Sequence, residues 1–165
     1  EFARTTIMNR ATQIFRAIGL ALAISSAVFF SAAAWAGEFF EKDGVAMRGY
    51  DVVSYFTDKK PVQGSADLKF EYKGSTFYFS SQANLDSFTA SPERYAPQYG
   101  GFCAFGTAGG YKAATDPDAF TVVENKLYLN YDKNVQKDSS ADNPGFVVKV
   151  DKNWPEVSKL TDVYE

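Results

Sequence analysis

Apolar residues are spread unevenly along this chain. One long apolar stretch, Ile18 to Phe30, stands near the N-terminus. Beyond residue 37 the hydrophobic positions come in short runs between glycine, proline and charge, as in a small globular domain. Residues 37–49 read as a charged lead-in. In Tyr50 to Phe56 (YDVVSYF) the apolar period does not decide between a helical turn and a strand. Lys69 to Tyr72 and Thr76 to Ser80 alternate with period two and predict a hairpin around Lys73-Gly74-Ser75, with Phe70 and Tyr72 on one face and Phe77 and Phe79 on another. Ser80 or Ser81 then caps a helix reaching about Thr89, with Leu85 and Phe88 at i,i+3. Ser91-Pro92 restarts a helical turn that ends at Tyr95 and Pro97. Gln98 to Gly110 is a short apolar segment between two glycine pairs. Phe120 to Tyr131 predicts a second hairpin, turning at Glu124-Asn125 because asparagine tolerates left-handed φ. Asp132 to Asp138 predicts a polar helix, and Asn153-Trp154-Pro155 closes the domain with Trp154 in the core. The class that follows is α+β: a small single domain of two β-hairpins with short intervening helices. Phe70, Phe77, Phe79, Leu85, Phe88, Val122, Leu127 and Leu129 form its expected core.

The N-terminal stretch changes the picture of where this domain works. Arg10 and Arg16 precede the apolar run, and Ala34-Trp35-Ala36 has the small-x-small form of a signal-peptidase site. Residues 1–36 are therefore expected to be upstream residues plus a cleavable signal peptide. Residues 37–165 are expected to be one domain, periplasmic or secreted, touching a membrane only if the signal stays uncut. The chain has 17 Lys+Arg and 20 Asp+Glu. Without Arg4, Arg10, Arg16 and Glu1, the domain keeps 14 basic and 19 acidic residues, a net charge of −5. No basic cluster stands out, so nucleic acid is excluded as an expected partner.

Two absences limit the chemistry. There is no histidine, hence no histidine base and no imidazole metal ligand. There is one cysteine, Cys103, so no intramolecular disulfide can form. Cys103 is either a small buried hydrophobe or a thiolate that binds a soft metal or does redox chemistry. A tetrahedral zinc site needs four ligands, which one thiolate and the Met47 thioether cannot supply. Cu(I) accepts two ligands, so Cys103 with Met47, or two Cys103 across a homodimer, is a chemically open pairing. Tyr50, Tyr55, Tyr95, Tyr99 and Tyr111, with Phe102, are the aromatic candidates for lining a ligand pocket or for forming half-buried shell. Asp116-Pro117-Asp118 reads as a capped turn. No catalytic constellation is legible.

Several ordered motifs then point to one family. GYDVVSYF at Gly49–Phe56, FYFSS at Phe77–Ser81 followed by Asn84, Phe88, Pro92 and Tyr95, YAPQYGGFCA at Tyr95–Ala104, VVENKLYLN at Val122–Asn130 and Asn153-Trp154-Pro155 resemble exported YHS-domain proteins. The resemblance runs through nearly all of residues 45–157. The wider group is similar to TRASH-type metal-sensing modules, in which cysteines are the ligands. Ser80 stands where the first such cysteine would be, and Asn84 near the second; only Cys103, typical of the exported subfamily, carries over. The resemblance implies a non-enzymatic exported binding module, handling a soft metal such as copper through Cys103. The alternatives are a module that binds a protein or small ligand with Cys103 buried, and a thiol redox protein. Accessibility of Cys103 separates them.

Overall fold

Three two-residue turns fold the chain back on itself, and both residues of each have positive φ: Asp43-Gly44, Lys73-Gly74 and Glu124-Asn125. This is the type I′ geometry whose twist matches that of paired strands. The computed structural model describes residues 38–140 and 143–165. The signal-peptide reading of residues 1–36 lies outside the described residues. Strands β1 (Glu41–Lys42) and β2 (Val45–Ala46) flank the first turn. Strands β3 (Ser65–Tyr72) and β4 (Ser75–Phe79) flank the second, and β6 (Phe120–Val123) and β7 (Lys126–Leu129) the third. A short parallel pair joins β5 (Lys112–Ala113) to β8 (Val163–Tyr164).

The fold is therefore α+β, as expected, but with three hairpins rather than two among the described residues. The supposed lead-in contains the extra one, and Ser75 belongs to β4 rather than to a turn. Tyr50–Phe56 resolves as one helical turn, α1 (Ser54–Thr57). Helix α2 (Gln82–Ala90) starts where Ser81 Oγ accepts the Asn84 backbone N–H at 3.1 Å, and α3 (Pro92–Tyr95) follows Ser91. The glycine-bounded segment holds α4 (Ala104–Gly109). Helix α5 (Lys133–Ser140) is capped by Asp132, whose Oδ1 accepts the Val135 N–H at 2.8 Å. Asn153-Trp154-Pro155 lies inside a longer helix, α6 (Asn143–Val157). Among the described residues no helix is long and apolar enough to cross a membrane.

The main core forms around Phe88, whose ring meets those of Phe70, Tyr72, Phe77 and Phe79 at 5.1–6.1 Å. All eight expected core residues fall in this cluster, with Phe70, Leu85 and Val122 partly buried at its margin. A second cluster packs Tyr99, Ala104, Ala108 and Tyr128 under Val150 of α6. A third joins Phe40, Phe102 and Ala114, and half-buried Trp154 touches both smaller clusters.

Two left-handed turns clasp one another in this interior. Met47, Arg48 and Gly49 have φ of 54°, 56° and 77°, and Tyr99, Gly100 and Gly101 have 54°, 61° and 75°. Each closes with one backbone bond, Tyr50 N–H to Met47 O and Phe102 N–H to Tyr99 O. A Cβ added at Gly101 would lie 2.3 Å from Met47 Sδ, so the methionine packs directly on bare backbone.

Candidate functional site

Asp51 is fully buried, and its carboxylate is where three segments meet. Oδ1 accepts the Val53 N–H at 2.9 Å. Oδ2 accepts the Ser80 N–H at 2.9 Å, the Ser80 hydroxyl at 2.6 Å and the Asn84 amide at 2.7 Å. The loop before α1, the end of β4 and the first turn of α2 are thereby tied to one side chain. Ser80 and Asn84 are the two residues set at and near the cysteine positions of TRASH-type modules, an expectation drawn from resemblance alone. Here both donate to Asp51, and the chain has no histidine to add an imidazole. The residues do not fit a metal centre at this place, and among the described residues no three His, Cys, Asp or Glu side chains group as one.

Cys103 sits immediately before α4, with its backbone N–H bonded to Ala113 O at 3.0 Å and its carbonyl accepting the Thr107 N–H and hydroxyl. A bridge to Leu129 fixes it against β7. The residue is 2 % exposed, and its Sγ accepts the Gly106 N–H at 3.4 Å. Burial pushes the thiol pKa up, against a smaller pull from backbone N–H groups of Gly106, Tyr131 and Phe105. At neutral pH the sulfur is a thiol.

Over this thiol lies an open groove of about 470 Å³, lined by Phe105, Tyr111, Tyr131, Tyr164 and Val135 among others. Among the described residues six large apolar side chains are exposed, and four of them are these aromatic rings. Each ring arrives by a different route. Phe105 projects from α4 and stacks on Phe146 of α6, at 6.3 Å between centroids. Tyr111 follows the end of α4, and Tyr131 the end of β7. Tyr164 is brought in by the β5–β8 pairing and meets Tyr111 edge-on at 5.2 Å.

The other expected site residues lie elsewhere. Met47 is buried in the main core against Gly101 and does not line the groove. Tyr55 is fully buried, its hydroxyl donating to Pro117 O at 3.2 Å, and burial raises its pKa. Tyr99 is buried and donates to Asp151 Oδ1 at 2.8 Å; burial and then this bond raise its pKa. Phe102 belongs to the third cluster, half-buried Tyr50 pairs with Gln63, and Tyr95 meets Phe56 edge-on. Of the aromatic candidates, Tyr111 alone lines the groove beside Cys103. Sequence reasoning passed over Tyr131 and Tyr164 because nothing local links either to Cys103; the bridge to Leu129 and the β5–β8 pair are contacts between distant segments.

A family model for the YHS domain matches residues 53–99, while no curated protein and no solved structure shows a significant match. The matched stretch runs from the residue before α1 to the second left-handed turn. It contains Ser80 and Asn84 and stops short of Cys103 and the groove. This chain carries a YHS domain over residues 53–99.

Proposed function

We propose that this protein is a non-enzymatic ligand-binding YHS module whose site is the aromatic groove over Cys103. One observation carries this reading: most of the exposed large apolar side chains among the described residues gather around a single groove. Apolar rings scattered singly over a surface need no explanation, but a concave cluster does. A volume of about 470 Å³ lies within the 300–1,000 Å³ typical of small-molecule sites. In this reading Cys103 is a neutral part of the groove wall, held by α4 and β7. The test is titration with N-phenyl-1-naphthylamine, a neutral apolar fluorophore. Saturable one-to-one binding is expected, weakened about tenfold by Tyr131→Ala and unchanged by Tyr95→Ala. Absence of saturable binding would sink the proposal.

A second reading, capture of Cu(I) by Cys103, is favoured by the YHS match and by the presence of the sulfur in the groove wall. The metal would have to displace the thiol proton against the effect of burial and find its second ligand outside the core-packed Met47, as in a homodimer sharing two Cys103. Native mass spectrometry with and without Cu(I) decides it: one ion per two chains, lost in Cys103→Ser, supports capture, and no uptake removes it. A thiol redox role is the weakest reading, because the lone thiol is buried and held protonated. Export remains part of the proposal: protein recovered from an exporting host is expected to begin at Gly37.

A further inference from the structure

The groove lining carries a single charge, the carboxylate of Glu165. A neighbouring cavity shares Tyr131 and Glu165 and adds Arg48 and Asp116, so across the pair one guanidinium is set against two carboxylates. Arg48 lies with its guanidinium 5.5 Å from the centroid of Phe40. Asp132 acts on Cys103 from the start of α5 and adds a third acidic group. Two nearby lysines hold their ammonium groups against backbone carbonyls. Lys112 Nζ donates to the carbonyls of Ser158 and Leu160, and Lys133 Nζ donates to the carbonyl of Asp118. Lys42 reaches Glu165 at 3.5 Å, but both ends are exposed, which makes that pair weak and displaceable.

Aromatic faces carry negative potential, and several rings around one space attract cations that are poorly hydrated. Among the four groove rings only Tyr111 and Tyr164 are in ring contact with each other, and all four line the same open groove. We propose that the ligand of this groove is a small organic ammonium ion, its alkylated nitrogen set against Phe105, Tyr111, Tyr131 and Tyr164 and its charge complemented by Glu165. This names the ligand class of the site proposed above and rests on that reading.

Choline and 3,3-dimethylbutan-1-ol test the proposal, because they differ only in a charged nitrogen replacing a carbon. NMR titration of the whole chain is expected to give choline an affinity at least about tenfold higher than the alcohol. Tyr131→Leu, at an exposed position and with apolar bulk kept, is expected to erase the difference, and Glu165→Gln to reduce it. Equal affinities would overturn the cation preference while leaving the groove as the binding site. If neither compound binds while the neutral naphthylamine does, the ammonium proposal falls alone; if none of the three binds, both proposals fall.

Discussion

Asp51 has no cation paired with it among the described residues, yet four donors converge on its carboxylate. Replacing it by asparagine keeps the shape but turns one acceptor into a donor facing donors. Asp51→Asn is expected to cost roughly 2–4 kcal/mol in urea unfolding, as the loss of charge-assisted bonds in a buried site does. Ser80→Ala removes one donor and leaves the backbone N–H in place, so about 1 kcal/mol is expected. A smaller loss for Asp51→Asn than for Ser80→Ala would contradict this network. In the sequence Ser80 and Asn84 stood out only through the family resemblance, as residues at or near positions where cysteine is expected and is missing. Their actual partner was not legible, because Asp51 is about thirty residues away and in sequence is one acidic residue among many.

The elements with local signals were the legible ones. Period-two alternation gave both large hairpins, and the left-handed tolerance of Asn125 gave the right turn at 124–125. The same reasoning passes over β1–β2, although Asp43-Gly44 is a hairpin signal in its own right. Helix α6 was obscured by Pro155, which reads as a terminator but lies within two residues of the helix end. The β5–β8 pair joins residues about fifty apart and has no local signature. Packing of the legible part is testable at Phe79, which is fully buried against Phe88 at 5.1 Å. Phe79→Ala is expected to cost roughly 3–5 kcal/mol, and a loss below about 1 kcal/mol would mean the β4–α2 packing is misassigned. The clasped turns make a different prediction. Gly101→Ala is expected to destabilise by roughly 1–3 kcal/mol, since it adds both a strained φ and a clash with Met47. Met47→Ala is expected to relieve the clash, so the double variant should lose clearly less than the sum of the singles. Strict additivity would separate the two turns.

For the molecule as a whole, burial acts on several titrating groups in the same direction. It raises the pKa of Cys103, Tyr55, Tyr99 and Tyr128. The folded chain then holds these protons more tightly than the unfolded one. Their contribution to stability is intact below the unfolded values, about 8.5 for a thiol and about 10 for tyrosine, and is lost as pH rises beyond them. Lys112 opposes this, since burial lowers its pKa and disfavours its charged form. With four groups against one, the urea midpoint is expected to be flat from neutral pH to about 8.5 and clearly lower at pH 10.5; an unchanged midpoint would count against buried phenols. The turn at Lys73-Gly74 has a consequence of another kind. Gly74 has φ of 80° and open space around it, a backbone state that is the mirror image of what an L residue prefers. In a chemically synthesised chain, D-alanine at this position would adopt that state without strain. It would also narrow the choices open to the unfolded chain, so a gain of about 0.4–1 kcal/mol is expected where L-alanine gives a loss. Substituting the two enantiomers at one site would read the handedness of the turn directly from two melting curves.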